Sequence, residues 1–261
     1  GGYENISSSS SYPRLASEPA PSWGRGLLNQ LISQKEHAMK TIKIENRTCY
    51  MQGNSSAAHL VIQMTGDHEL QELSDIASVV TKEGRCLYAA IAVKNWNTEL
   101  SPWEAPPVWG KEGFGGLGNQ TLCFLLQQVI PSLKRDYELP DDVKIILGGY
   151  SLAGLFSLWA STQTDTFCGI AAASPSVWFP KWMEWEAVHP MQARKVYLSL
   201  GNREEQTKNQ TMKSVGDHIR LLYSRLVERQ VDCVLEWNPG GHFKETGHRT
   251  AQAFLWTLGD L

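Results

Sequence analysis

The chain has 261 residues, 42% of them apolar and 20% charged, with a formal net charge of −3. That length allows one large core or two small ones, and no apolar run approaches the length that crosses a bilayer. The slight negative charge gives no case for nucleic acid or an anionic membrane as partner. Without Cys-x-x-Cys, His-x-x-x-His or glycine-rich phosphate-loop patterns, there is no case for a metal or other cofactor either.

The first ~22 residues are rich in Ser, Pro and Gly, with five serines in a row from Ser7 to Ser11, and read as a disordered lead-in. Residues 23–40 carry Leu27, Leu28, Leu31 and Ile32 at helical spacing, the pattern of a short amphipathic helix. Such a helix could dock on the body or join a second copy into a homo-oligomer. A start added by cloning, or a misassigned one, is the competing reading, because Met39-Lys40-Thr41 reads as an initiation followed by a strand. No charged n-region precedes an apolar h-region, so the segment does not read as a signal peptide. The expected division is therefore a lead-in over 1–40 and a single domain over 41–261.

Within 41–261, apolar runs predict strands over 41–51, 58–65, 86–93, 143–148, 168–173, 195–200 and 231–237. Helical periodicity predicts helices over 69–82, 120–136, 152–162, 211–229 and 246–258. Strand and helix in alternation specify an α/β fold with a mainly parallel sheet covered on both faces. Ile145-Ile146-Leu147 and Val196-Tyr197-Leu198 are the continuous apolar runs that buried parallel strands require. The connection over 93–118 stands out, holding Trp96, Trp103, Trp109, Phe114 and Pro102, Pro106 and Pro107. A loop that long and that aromatic, without secondary structure of its own, is expected to fold over one edge of the sheet. Cys49, Cys86, Cys123, Cys168 and Cys233 are odd in number and scattered, which reads as reduced core thiols and a cytoplasmic protein.

Chemistry enters at Gly148-Gly149-Tyr150-Ser151-Leu152-Ala153-Gly154-Leu155. An apolar strand (143–147) meets an apolar helix (155–160) at a serine flanked by small residues. This is the sequence form of a nucleophile elbow, where bulky neighbours would collide with the adjoining backbone. Ala153 stands where the usual pattern has glycine, and a packed strand-to-helix turn is the competing structural reading. A serine needs a base and an acid, which in α/β hydrolases follow it in the chain order acid, then histidine. The strand over 195–200 ends in Gly201-Asn202-Arg203-Glu204-Glu205, and the strand over 231–237 ends in Asn238-Pro239-Gly240-Gly241-His242. His242 is the candidate base and Glu204 the candidate acid, with Glu205 as the alternative. Asp232 lies at the wrong end of its strand. His218, in a charged helical stretch, reads as a surface residue, and His248 as a solvated or capping one.

An acyl-transfer site also needs two amide donors for the oxyanion. Leu152, next after the serine, supplies one. The strand over 58–65 ends in Thr65-Gly66-Asp67-His68, where Asp67, with Gly66 next, is the candidate for the other. Trp96, Trp103, Phe114 and Trp178 are candidates for lining an apolar acyl or aryl pocket, set against the alternative that such aromatics only clamp long loops.

These segments carry a resemblance. The elbow, Ser174-Pro175-Ser176-Val177-Trp178, Gly201-Asn202-Arg203-Glu204-Glu205, Gly241-His242-Phe243, Asn95-Trp96-Asn97, Ser101-Pro102-Trp103 and Phe114-Gly115-Gly116 look like the esterase D-like branch of α/β hydrolases. That branch includes trilactone siderophore esterases, S-formylglutathione hydrolases, feruloyl and acetyl-xylan esterases and mycolyltransferases. The Ser-Pro-Ser-x-Trp segment is most similar to the siderophore esterases and related bacterial acyl esterases. The resemblance implies an α/β-hydrolase fold over about 41–260, with Ser151 as nucleophile, His242 as base and Glu204 as acid. It also implies oxyanion donors at Leu152 and Asp67 and a small-molecule ester as substrate. A thioesterase of the S-formylglutathione type is the nearest alternative, and a hydrolase fold that only binds is the other.

Overall fold

Seven-residue stretches dominated by apolar side chains recur along the chain and form the central strands. The computed structural model describes residues 38–261. The lead-in and the helix expected over 23–40 lie outside the described residues, apart from the last few positions, where Lys40 opens the first strand. Residues 36–261 form one compact unit. In chain order the strands begin with β1 (Lys40–Ile44), β2 (Arg47–Gly53) and β3 (His59–Thr65). A 3-10 turn (Asp67–Glu72), helix α1 (Leu73–Thr81) and β4 (Cys86–Ala92) follow. Next come the one-turn α2 (Trp96–Glu99), the two-residue strands β5 (Glu104–Ala105) and β6 (Phe114–Gly115), and α3 (Gly118–Phe124). A π turn (Leu125–Val129) joins α3 to α4 (Ile130–Asp136). The remainder alternates: β7 (Lys144–Tyr150), α5 (Leu152–Gln163), β8 (Phe167–Ala173), α6 (Trp182–Val188), β9 (Lys195–Gly201), α7 (Val215–Glu228), β10 (Asp232–Asn238) and α8 (Thr246–Leu258).

Eight strands form one sheet in the order β1-β2-β4-β3-β7-β8-β9-β10, in which β2 alone runs against the rest. Every residue of β3 and β9 is buried, as expected for strands covered on both faces. Alternate side chains serve two apolar layers. Leu60, Ile62, Met64, Ile145, Leu147, Val196 and Leu198 face one layer, with α5 and α7. Val61, Ile146, Tyr150 and Tyr197 face the other, with α1 and α8.

The register aligns the carboxyl ends of the parallel strands. Gly148 pairs with Ala171, Tyr150 with Ala173, and Asn238 with Gly201. The segments after Thr65, Tyr150, Ala173, Gly201 and Asn238 therefore emerge at one edge, where open α/β sheets bind ligands.

Three expectations need correction. The strand expected over 41–51 is a hairpin, because Glu45-Asn46 breaks the apolar alternation and Glu45 turns the chain at a φ of 52°. The connection over 93–118 is not structureless, since it contains α2 and the β5–β6 hairpin. Helix α6, at Trp182–Val188, is not among the helices the periodicity predicts, because Trp182 and Trp185 extend the run of tryptophans begun by Trp178 rather than marking a helical face by themselves.

Candidate active site

Ser151 sits between β7 and α5 with φ 60° and ψ −121°, a conformation that costs a non-glycine residue roughly 1–3 kcal/mol and persists only where its surroundings over-determine it. Three hydrogen bonds do so. Ser151 N–H donates to the Ala173 carbonyl (3.0 Å), while the Ser151 carbonyl accepts from Leu155 N–H (3.1 Å) and Ser176 N–H (3.1 Å). The glycine at 149 is sterically required, because a Cβ there would lie 2.5 Å from the Cβ of Ala153. The same contact explains why alanine is accepted at 153: the space its methyl fills is the space Gly149 leaves open.

The Ser151 hydroxyl lies 2.9 Å from His242 Nε2, and His242 Nδ1 lies 2.9 Å from Glu204 Oε2. Glu204 opens a 3-10 turn just past β9, and its side chain is only 5% exposed. Its other oxygen is saturated: Oε1 accepts from Ser174 Oγ (2.7 Å), Gly201 N–H (2.9 Å) and Arg249 Nη1 (3.4 Å). Buried carboxylate oxygens need such donors, since an unpaired one would cost several kcal/mol. Glu205, the alternative acid, turns away and binds Arg220 on α7 through both oxygens (2.8 and 3.0 Å), and that guanidinium holds its carboxyl below the usual range. Asp232 pairs with Lys195 in register at the opposite edge of the sheet.

The loop carrying His242 is tied down from below. Arg249 on α8 is 1% exposed and donates to the carbonyls of Pro239 (2.9 Å) and Gly241 (3.0 Å), to the Tyr150 hydroxyl (3.2 Å) and to Glu204. The Tyr150 hydroxyl in turn donates to the His242 carbonyl at 2.5 Å, and burial pushes its pKa up. Gly201 allows the acid and base loops to touch, because a Cβ there would meet the Gly240 carbonyl oxygen at 2.4 Å. Reasoning from motifs missed Arg249. The available signal was a charged residue at the head of the buried stripe Arg249, Thr250, Ala253, Phe254, Thr257 and Leu258.

Toward β3 the edge has a different character. Leu152 is the first residue of α5, so its amide has no acceptor within the helix. Asp67, exposed, opens the 3-10 turn after β3, and Glu69 N–H closes that turn onto the Gly66 carbonyl (3.0 Å). Beneath it Glu69 is buried, accepting from Thr65 Oγ1 (3.1 Å), and desolvation pushes its carboxyl up to about 8. Trp96 stands beside this turn, its ring edge-on to His68 with centroids 4.6 Å apart.

Trp103 donates its indole N–H to the Pro180 carbonyl (2.9 Å) and packs on Phe179 and Trp185. Phe114 is buried against Phe179 and Trp178. Trp103 and Phe114 thus clamp the long loop onto the segment after β8, whereas Trp178 is only partly buried two residues beyond Ser176. His218, expected at the surface, is half-buried and bonds the Val177 carbonyl through Nδ1 (2.8 Å), tethering that same segment. Phe243, which sequence reasoning left unused, is 87% exposed and lies edge-on to the His242 ring. Among the described residues, no group of three His, Cys, Asp or Glu side chains is placed to hold a metal ion.

The sheet order, the elbow at the end of its central strand and the loops of one edge define an α/β-hydrolase fold. No protein-family model matches the sequence, and no curated protein does. Solved structures match over most of the chain. The siderophore hydrolase EstA from Aspergillus nidulans has a TM-score of 0.62 at 18% identity, over 85% of this chain and 93% of that one. An IroE-like serine hydrolase from Shewanella oneidensis has a TM-score of 0.66 at 14% identity, over 85% and 79%. The enterobactin hydrolase IroE, in complex with DFP, has a TM-score of 0.62 at 16% identity, over 85% and 95%. At these identities the likeness is one of fold. By name, one of the three is a siderophore hydrolase and another an enterobactin hydrolase.

Proposed function

We propose that the chain is a serine hydrolase that cleaves carboxylic esters of small molecules through an acyl-enzyme. The observation that carries this reading is the unbroken hydrogen-bond series Ser151 Oγ, His242 Nε2, His242 Nδ1, Glu204 Oε2, with both links at 2.9 Å and the serine in a strained elbow.

His242 takes the Ser151 proton as Oγ attacks the ester carbonyl, then returns it to the departing alcohol. Glu204 holds the imidazole in the tautomer that presents a lone pair at Nε2, and it stabilises the imidazolium that forms. The Leu152 and Asp67 amides receive the oxyanion, a donor being worth about 3 kcal/mol in comparable sites. A water activated by His242 then releases the acid. Trp96 and Trp178 wall the acyl or aryl side, and the likeness to siderophore hydrolases supports an aryl-bearing ester or lactone as substrate. The five unpaired cysteines support a reducing compartment, consistent with a cytoplasmic protein.

The test is hydrolysis of p-nitrophenyl acetate, butyrate and octanoate by the wild type, Ser151→Ala and His242→Ala, beside fluorophosphonate labelling. Turnover and labelling lost in both variants are expected. A wild type that neither turns over nor labels would leave a fold that only binds.

A further inference from the structure

Ser176 is 1% exposed, and among the described residues its hydroxyl has a single hydrogen-bond partner, the hydroxyl of Ser151 at 3.3 Å. The direction of that bond follows from the rest of the series. Both oxygens of Glu204 accept, so His242 Nδ1 carries a hydrogen and Nε2 is left with a lone pair. That lone pair takes the single Ser151 hydrogen. Ser151 Oγ has then no hydrogen to give Ser176, and the bond between the two serines runs from Ser176 O–H to Ser151 Oγ. Satisfaction of a buried hydroxyl requires the same direction.

The position is built rather than incidental. Ser176 N–H bonds the Ser151 carbonyl (3.1 Å), Pro175 packs against Gly154 of α5, and His218 fixes the neighbouring Val177 carbonyl. The hydroxyl is thereby held at the nucleophile by the same segment that supports the strained elbow.

We infer that Ser176 is a positioning residue that donates a hydrogen bond to Ser151 Oγ, directing the Ser151 proton to His242 and stabilising the charge that Oγ carries as it attacks and as it is expelled. This rests on the esterase reading above. In acylation the Oγ–C bond forms as the Oγ proton passes to His242 Nε2 and the carbonyl electron pair moves to the oxyanion. In deacylation Nε2 takes a proton from the attacking water as the water oxygen bonds the acyl carbon; the C–Oγ bond then breaks, its electron pair returns to Oγ, and Nε2 passes that proton to Oγ. Ser176 keeps its own proton throughout and is bonded to Oγ at both moments when charge is largest.

Three variants separate donation from packing. Ser176→Ala removes the donor, Ser176→Cys fills the space with a weak one, and Ser176→Thr keeps a hydroxyl. With p-nitrophenyl acetate, Ala and Cys are expected to lower kcat about ten- to a hundredfold, as for a lost hydrogen bond to a charged group, with KM unchanged. The rate of fluorophosphonate inactivation should fall by a similar factor, and Thr should recover most of both rates. Wild-type rates in Ser176→Ala, or full recovery in Ser176→Cys, would overturn the assignment. Loss of wild-type turnover and labelling would instead overturn the esterase reading itself.

Discussion

The edge that carries the candidate site holds two kinds of loop. Those after β9 and β10 are fixed by charge: Glu204 accepts from four donors and Arg249 supplies four hydrogen bonds, with both side chains buried. The loops after β3 and β4 are anchored by charge only at the root of the second, where Glu99 accepts from the Lys94 and Asn95 amides and pairs with Arg47; further out they rest largely on aromatic faces, the Trp103 indole bond and the Asn209 bond to the Val108 carbonyl, and they leave Asp67 and Trp109 exposed. Directional bonds among buried groups admit one arrangement, because any other leaves a polar atom unpaired. Apolar contacts admit several at similar energy. Proton transfer needs the first kind of precision, whereas accommodating an acyl or alcohol group needs only the second.

The largest effects should therefore fall on the charged side. Ser151→Ala or His242→Ala should lower kcat by about four to six orders of magnitude, with little change in unfolding temperature. Arg249→Met should lower both activity and stability, the latter by about 3–5 kcal/mol in denaturant titration, because it strands Glu204 and two loop carbonyls in a dry site. Retention of wild-type stability in Arg249→Met would mean that the two loops are held by packing after all, and the contrast would collapse.

The same contrast explains what could be read from the sequence. The alternation of apolar runs and periodic segments specified the sheet and five of its helices, because continuous burial on both faces leaves mainly apolar residues in β3, β7, β8 and β9. Ser151, Glu204 and His242 were legible as positions because each lies just past a recognisable strand end. Arg249 was not: it lies in the first turn of a helix, away from any strand end, and what it touches is set by tertiary approach of α8 to the β10 loop. Trp103 and Phe114 show the reverse difficulty. Composition alone does not separate an aromatic that lines a pocket from one that clamps a loop, and only the Pro180 bond and the Phe179 contact distinguish them.

A smaller effect, of opposite sign, is expected beneath the turn after β3. Glu69 faces Thr65, His68 and Glu72, and Tyr88 lies near enough to feel its charge. Its carboxyl titrates at about 8 when folded and near 4.5 otherwise, so between those values the native state holds a proton the unfolded chain has released. Stability should then fall as pH rises from about 4.5 to about 8 and level off above that. Glu69→Gln removes the dependence: its unfolding free energy should match the wild type near pH 5 and exceed it by a few kcal/mol at most near pH 9. Parallel stability curves for the two proteins would show that Glu69 escapes to solvent when it ionises.

The smallest effect is expected at an exposed aromatic on the charge-fixed side. Phe243 is 87% exposed yet follows His242 without a break and lies edge-on to its ring, with centroids 5.1 Å apart. A large apolar side chain left in water beside a reactive group loses nothing on folding by being truncated, since it buries almost no area. Any cost of Phe243→Ala must therefore be felt only when an ester is bound. The expected outcome is an unchanged unfolding temperature, an unchanged kcat, and a KM raised about three- to tenfold for aryl esters, corresponding to about 1 kcal/mol of aromatic contact. Acetate esters of small alkyl alcohols should show no change. A fall in kcat with KM intact would mean that Phe243 orients His242 rather than the substrate, and that the fixed side extends to its exposed aromatic.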